Sequence, residues 1–408
     1  MRNFDLHYKD EYIAYIFVLI SGLFYCYFSL PEEKQPTFLF YAGSLLLSML
    51  FIYLSEMTEK RGYSIMLFLA GMTILGCAMA FKLPDAFDDD AYMKIFSRAK
   101  NPNMFAYLMA TSHEKGYLLF NWLIYRITAG NYNYFKAIIT FISFFIWGWA
   151  FRKVGYMKGS QMFMALFLWS HFYFFVMNAG LIRIFMAIPI VFIAITYIWK
   201  NQWKKYFLWI IMASLFHLSS LVMLLLLLFK LNQKFYYDHW IFFTFLSFIV
   251  VVIGLVTMAN FLVPLLGERY EGYQNVSDIS FNLGSFTTFP IWIACYYYYK
   301  NLPKVSLEYR RKYIIGMLLL SLSIVFSVAV TIVHVGRIIY YSYLGLLIVI
   351  SAIFQIRTRD FTDFILKCLL IVYSLVYVMS TTLTNDYCSK LFPYESFLNS
   401  EQDINSNE

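Results

Sequence analysis

Carboxylates crowd one short stretch of an otherwise apolar chain. In PDAFDDDAYMKIFSRAKNPNMFAYLMATSHEKG, residues 84–116, Asp85, Asp88, Asp89 and Asp90 fall within six positions, and Tyr92, Arg98 and Glu114 follow. Grouped carboxylates can act as a general base, hold a cation or orient hydroxyls. Asp88, Asp89 and Asp90 match no specific ligand spacing, so a divalent cation there is conceivable but unsupported, and no metal or other cofactor is expected. The same residues can equally form a solvated loop that caps the helix MKIFSRA, where Asp complements the N-terminal dipole. Glu114, just ahead of Gly116, divides the same way between chemistry and a first-turn acid.

Three further places carry polar groups at the mouths or middles of apolar runs. Arg183 opens IFMAIPIVFIAI. It can snorkel to lipid head groups, or stand as a fixed cation for phosphate, to which a guanidinium offers a fork of donors. His217 lies mid-segment beside Ser219 and Ser220, where a polar side chain is costly unless it faces a partner or water. It reads as a tie to a neighbouring helix or as a proton carrier, with the tie favoured. His334 and Arg337 precede Tyr340 and Tyr341. If helical, His334, Arg337 and Tyr341 share a face and can line one cavity with Arg183, or simply anchor a span at the interface.

The elements that must position these groups are membrane spans. The chain of 408 residues is 61% hydrophobic and only 14% charged, against about 45–50% and about 25% in soluble domains. Its apolar runs do not alternate, which excludes a β-barrel, so the expected fold is an all-α integral membrane, polytopic helical bundle. Spans are predicted at about 12–30, 37–55, 64–82, 133–151, 160–177, 184–199, 240–262, 286–299, 313–333, 338–355 and 364–380, some 11 in all. Residues 117–129 are too few to cross and read as a short interfacial helix. The domain division follows: one membrane domain over 1–380, containing an acidic loop over 83–132, and a polar tail over 381–408 whose last residues, NSEQDINSNE, read as disordered.

Charge sets the topology. The net charge of +8 lies largely in short loops, where it reads as orientation rather than nucleic-acid binding. The basic loops at Arg152–Lys158, Lys200–Lys205 and Lys300–Lys312 belong in the cytoplasm. Three apolar segments separate Lys205 from Lys300, so one of them must not cross. Residues 206–229, with His217–Ser220 at the centre and lysines on both flanks, are expected to form a re-entrant hairpin. The N-terminus is then cytoplasmic, and the acidic loop, Arg183, Arg337 and the C-terminus face outward. The first apolar run lacks a small-x-small cleavage site and reads as a retained span. The five cysteines are scattered without a C-x-x-C pair, so neither a disulfide scaffold nor a zinc site is expected.

Several of these pieces, in order, resemble the EpsG family of bacterial membrane proteins, related in role to the Wzy polysaccharide polymerases. The resemblance rests on Asp88 with Tyr92 four residues on, and on Glu114 opening a short apolar helix. It continues with Arg183-Ile-Phe-Met-Ala187, Phe216-His217-Leu-Ser219 after a basic loop, and the late Arg337. Family members often place Gln after the first of these arginines, where this chain has Ile184.

The resemblance implies an enzyme, a glycosyltransferase of the O-antigen, capsule and exopolysaccharide polymerase kind. It would join polyprenyl-pyrophosphate-linked oligosaccharide repeat units on the outer face of the bacterial cytoplasmic (inner) membrane, transferring the growing chain to a new unit. Membrane lipids, a chain-length regulator and export proteins would be its partners. The absence of a nucleotide-binding glycine motif agrees with a lipid-linked donor. In this scheme Arg183 and Arg337 bind pyrophosphate, Asp88 and then Glu114 are the candidate bases, and His217 supports the site. Tyr92, His334 and Tyr341 line the substrate cavity. The rival readings are a transporter or flippase of the lipid-linked glycan, which usually shows internal repeats, and a membrane acyltransferase with His334 or His217 as base.

Overall fold

A computed structural model of the protein describes residues 6–154, 160–230, 289–301, 307–328, 339–355, 361–380 and 390–399, with His239 and Phe242. Among these residues the regular structure is helical, apart from an isolated β-bridge between Lys82 and Ser396. The described helices are α1 (Leu6–Ser29), α2 (Gln35–Met57), α3 (Arg61–Phe81), α4 (Asp89–Arg98), α5 (Met104–Met109), α6 (Lys115–Ile127), α7 (Tyr132–Val154), α8 (Gln161–Leu168), α9 (Phe174–Ala179), α10 (Ile182–Ile198) and α11 (Trp203–Ser214). After a 3-10 helix over Leu218–Lys230 come α12 (Phe289–Asn301), α13 (Leu307–Val328), α14 (Ile339–Ser342), α15 (Leu344–Ile353) and α16 (Phe361–Val378).

Among the described residues, five helical stretches are long and apolar enough to cross a membrane: Glu11–Ser29, Glu32–Met57, Arg61–Phe81, Tyr132–Val154 and Phe361–Val378. They coincide with spans expected from hydropathy. Two other expected spans are helical with a local irregularity. Residues 160–177 become α8, a π-turn over Trp169–Tyr173, and α9. Within 338–355, the described residues form α14 and α15, separated by Tyr343 alone. The span expected at 240–262 lies outside the described residues, apart from Phe242.

The chain divides into two units: Met1–Ile190 with Leu215–His217 and Phe354–Glu408, and Val191–Ser214 with Leu218–Ile353. In the first unit α2 packs on α3, α3 on α7, and α1 on α16. Gly71 lets α3 approach α2 closely, since a Cβ there would stand 2.9 Å from the Ser48 carbonyl oxygen. The expected interfacial segment is α6, 13 residues long. At about 1.5 Å per residue it reaches only about 20 Å, short of an apolar layer of about 30 Å.

Residues 390–399 do not trail as a polar appendage. Leu391 and Phe397 are buried. The Leu83 N–H donates to the Glu395 carbonyl at 2.8 Å, and the Tyr394 hydroxyl donates to the Ala78 carbonyl at 3.0 Å. The Tyr41 hydroxyl donates to the Leu391 carbonyl at 3.1 Å. Residues 400–408, most of the stretch read as disordered, lie outside the described residues.

In the second unit α13 packs on α15 through facing glycines. A Cβ on Gly345 would collide with the backbone of Gly316 and Leu320, so small residues set that crossing. The Tyr206 hydroxyl donates to the Met223 carbonyl, 17 positions along. A straight helix of that length would separate them by about 25 Å, so the chain doubles back between α11 and the 3-10 helix.

Candidate functional site

The acidic stretch folds against α6, α7 and α10 over an aromatic core. Tyr92, Ile95 and Phe96 of α4, Tyr107 of α5, Tyr117 and Leu118 of α6, Tyr132 and Phe135 of α7, and Ile182 and Met186 of α10 form one buried cluster, with Phe216 at its edge. The helix α4 is amphipathic: its apolar positions face this core, while Asp90 and Lys94 stay at the surface. Tyr92 meets Tyr117 edge-on at 6.0 Å, and Phe96 meets Phe135 at 4.5 Å. These rings fix α4 and α6 relative to α10, and α10 carries Arg183 at its second position.

Arg183 is the centre of the site. Its Nη1 donates to Glu114 Oε2 at 2.5 Å, and its Nε donates to the Tyr92 hydroxyl at 3.3 Å. The guanidinium also stands 5.5 Å from the Tyr92 ring centre and 5.8 Å from that of Tyr117, within the range of a cation–π interaction. Three residues singled out from sequence, Tyr92, Glu114 and Arg183, therefore meet. The pair is not sealed: the side chains keep 10% and 15% of their exposure. Burial pushes the Tyr117 phenol well above its ordinary pKa, so it stays neutral beside the arginine.

Glu114 immediately precedes α6 in an extended conformation, φ −60° and ψ 130°, and makes no side-chain capping bond to it. The start of α6 is held by other groups. The Tyr117 N–H donates to the Leu215 carbonyl at 3.0 Å, and Gly116 is in close contact with Leu215, leaving no room for a Cβ. That contact brings the segment Leu215–His217 beside α6, with Phe120 and Phe216 edge-on at 6.3 Å. His217 follows directly and is half-buried.

Of the four aspartates, the structure commits Asp89 to a buried ion pair. It is fully buried in the first turn of α4. Its Oδ2 accepts from Lys136 Nζ at 2.8 Å and from the Ala86 N–H at 3.0 Å, and its Oδ1 accepts from the Tyr132 hydroxyl at 3.2 Å. Asp88, the sequence's first candidate base, is the residue before α4 and is half-buried; its carbonyl accepts from the Tyr92 N–H. Asp85 pairs with Lys82, and Asp90 is exposed.

Sequence reasoning missed Lys136. The available signal was Tyr132-x-x-x-Lys136, two polar groups one helical turn apart at the start of an apolar run. It also passed over Gly180, which ends α9 with φ +69°. There a Cβ would stand 3.1 Å from Ala86 Cβ and 3.4 Å from Asp89 Oδ1. Glycine is suited both to the left-handed turn and to the close approach of the acidic stretch, three residues before Arg183.

Tyr341 lies in the second unit on α14, fully buried, and Ser219 Oγ donates to its hydroxyl at 3.4 Å. His334 and Arg337 lie outside the described residues. No group of three or more His, Cys, Asp or Glu suited to a metal is found among the described residues.

A family model described as the EpsG family matches residues 65–396. This range takes in the acidic stretch, Glu114, Arg183 and His217. No curated protein and no solved structure matches the chain.

Proposed function

We propose, since the chain belongs to the EpsG family and that family is associated with polysaccharide polymerases, that this protein joins lipid-linked oligosaccharide repeat units. The growing glycan leaves its polyprenyl-pyrophosphate carrier and is transferred to a sugar hydroxyl of a new lipid-linked unit. The reaction takes place on the outer face of the bacterial cytoplasmic membrane. The product is a capsule, exopolysaccharide or O-antigen, with a chain-length regulator and export proteins as partners.

The observation that carries this reading is the cation at Arg183. It is held by a carboxylate and two aromatic rings, and part of the pair remains open to solvent. A guanidinium so fixed suits a diphosphate, whose charge grows as the glycosidic bond to it breaks. Glu114 stands on the same guanidinium and is assigned to the proton of the attacking hydroxyl. Asp88, one turn before Tyr92, is assigned to sugar hydroxyls. His217 is assigned a supporting role, and Arg337, His334 and Tyr341 are assigned to substrate binding.

This reading keeps about 11 spans, a cytoplasmic N-terminus, and a hairpin over 206–229 that enters the membrane and returns. Labelling a cysteine placed at Lys234 tests the topology: accessibility from outside alone overturns it. Deleting the protein and running the surface glycan on a gel tests the function. A polymerase loss leaves single repeat units. A flippase loss leaves none outside, and an acyltransferase loss leaves normal lengths with altered decoration.

A further inference from the structure

An anion brought to Arg183 must compete with its present partner. Glu114 occupies its Nη1 at 2.5 Å, and a diphosphate brought to the same guanidinium would stand against that carboxylate as a like charge. We infer that the Arg183–Glu114 pair is an exchangeable latch: the diphosphate of the lipid-linked donor displaces Glu114, and the displaced carboxylate becomes the proton acceptor. This rests on the polymerase reading above.

Three features of the site support the exchange. A diphosphate carries more charge than a carboxylate and can engage the guanidinium through two parallel bonds. Arg183 would not follow Glu114 away, because Tyr92 holds its Nε and the Tyr92 and Tyr117 rings flank it. Glu114 precedes α6 rather than lying in it and makes no capping bond, so its side chain can swing without unwinding the helix.

The exchange couples binding to chemistry. Paired with arginine, a carboxylate is a poor base, because the ion pair stabilises its charged form. Released next to the bound donor, it loses that stabilisation and can accept a proton. The acceptor hydroxyl oxygen then forms a bond to the anomeric carbon, and the bond from that carbon to the diphosphate oxygen breaks. The leaving electron pair stays on the diphosphate facing Arg183, and the hydroxyl proton passes to Glu114.

The test uses the full chain in detergent or nanodiscs, with inorganic pyrophosphate as probe. Glu114→Gln removes the competing charge, so pyrophosphate should bind about 10-fold more tightly than to the wild type. With lipid-linked substrate, kcat should fall by about 100-fold or more, the loss of a general base. Arg183→Gln should abolish pyrophosphate binding. If Glu114→Gln binds pyrophosphate equally or more weakly, Glu114 merely orients Arg183 and the latch is wrong. If it binds more tightly but keeps its kcat, the proton transfer is wrong. Should Glu114→Gln fail to accumulate, Glu114→Asp withdraws the carboxylate by one methylene, and a smaller tightening is expected. Tighter binding in a protein whose deletion leaves polymer length unchanged would remove the polymerase reading while leaving the anion exchange at Arg183 intact.

Discussion

Two ion pairs lie in the same unit, and they are built to opposite ends. Asp89–Lys136 is closed: the carboxylate side chain is 0% exposed, the ammonium side chain 6%, and the carboxylate has two further donors in Tyr132 and Ala86. Arg183–Glu114 is partly open, and its carboxylate sits ahead of a helix rather than inside one. A buried charge is tolerated when its lone pairs are filled, and then exchanging partners is prohibitively costly. A pair that keeps some solvent can trade one anion for another. Asp89 thus holds the frame, while Glu114 sits in a pair that can exchange.

Removing one member of the closed pair should have the largest effect. Asp89→Ala leaves Lys136 buried without its counter-charge, at a cost of about 3–5 kcal/mol. Protein recovered from the membrane should fall sharply, and the melting temperature of what remains should drop. Arg183→Ala is expected to invert that pattern. Glu114 can then solvate, so the melting temperature stays close to wild type. Polymer synthesis should fall by about 10²–10³-fold, the weight of a lost electrostatic stabiliser. Full-length polymer from both Arg183→Ala and Arg337→Ala would sink the pyrophosphate assignment. Gly180→Ala tests the turn between the two pairs: forcing a side chain into the left-handed region should cost about 1–2 kcal/mol in thermal stability. Tyr132→Phe deletes one donor to Asp89 and leaves the lysine. A loss of about 1 kcal/mol is expected, with polymer length unchanged. If Tyr132→Phe shortened the polymer without moving the melting temperature, the closed pair would have a part in the chemistry after all.

The sequence separated these pairs unevenly. Tyr92, Glu114 and Arg183 were legible because each is a polar residue at the edge of an apolar run, and the structure brings them onto one guanidinium. Asp89 was not distinguishable from Asp88 or Asp90. In a run of consecutive aspartates, the face that turns inward depends on where the helix begins, and sequence does not set a helix start to the residue. Lys136 was hidden by its apolar neighbours, because hydropathy averages over a single cation. The π-turn over Trp169–Tyr173 was not expected, although Ser170 and His171 interrupt the apolar run at that point. The doubling back between α11 and the 3-10 helix was signalled by His217, Ser219 and Ser220, polar residues that interrupt an otherwise continuous span.

The segment over residues 390–399 imposes an order on biosynthesis. The Leu83 N–H, at the head of the acidic stretch, finds its partner on Glu395, and the Ala78 carbonyl finds its partner on Tyr394, 316 positions later. While the chain is being made, that edge of the stretch must wait for almost everything else to leave the ribosome. Contacts of such separation close last and are slow to form. The acidic stretch would enter the membrane with that edge unpaired and close it only when Tyr394 and Glu395 arrive.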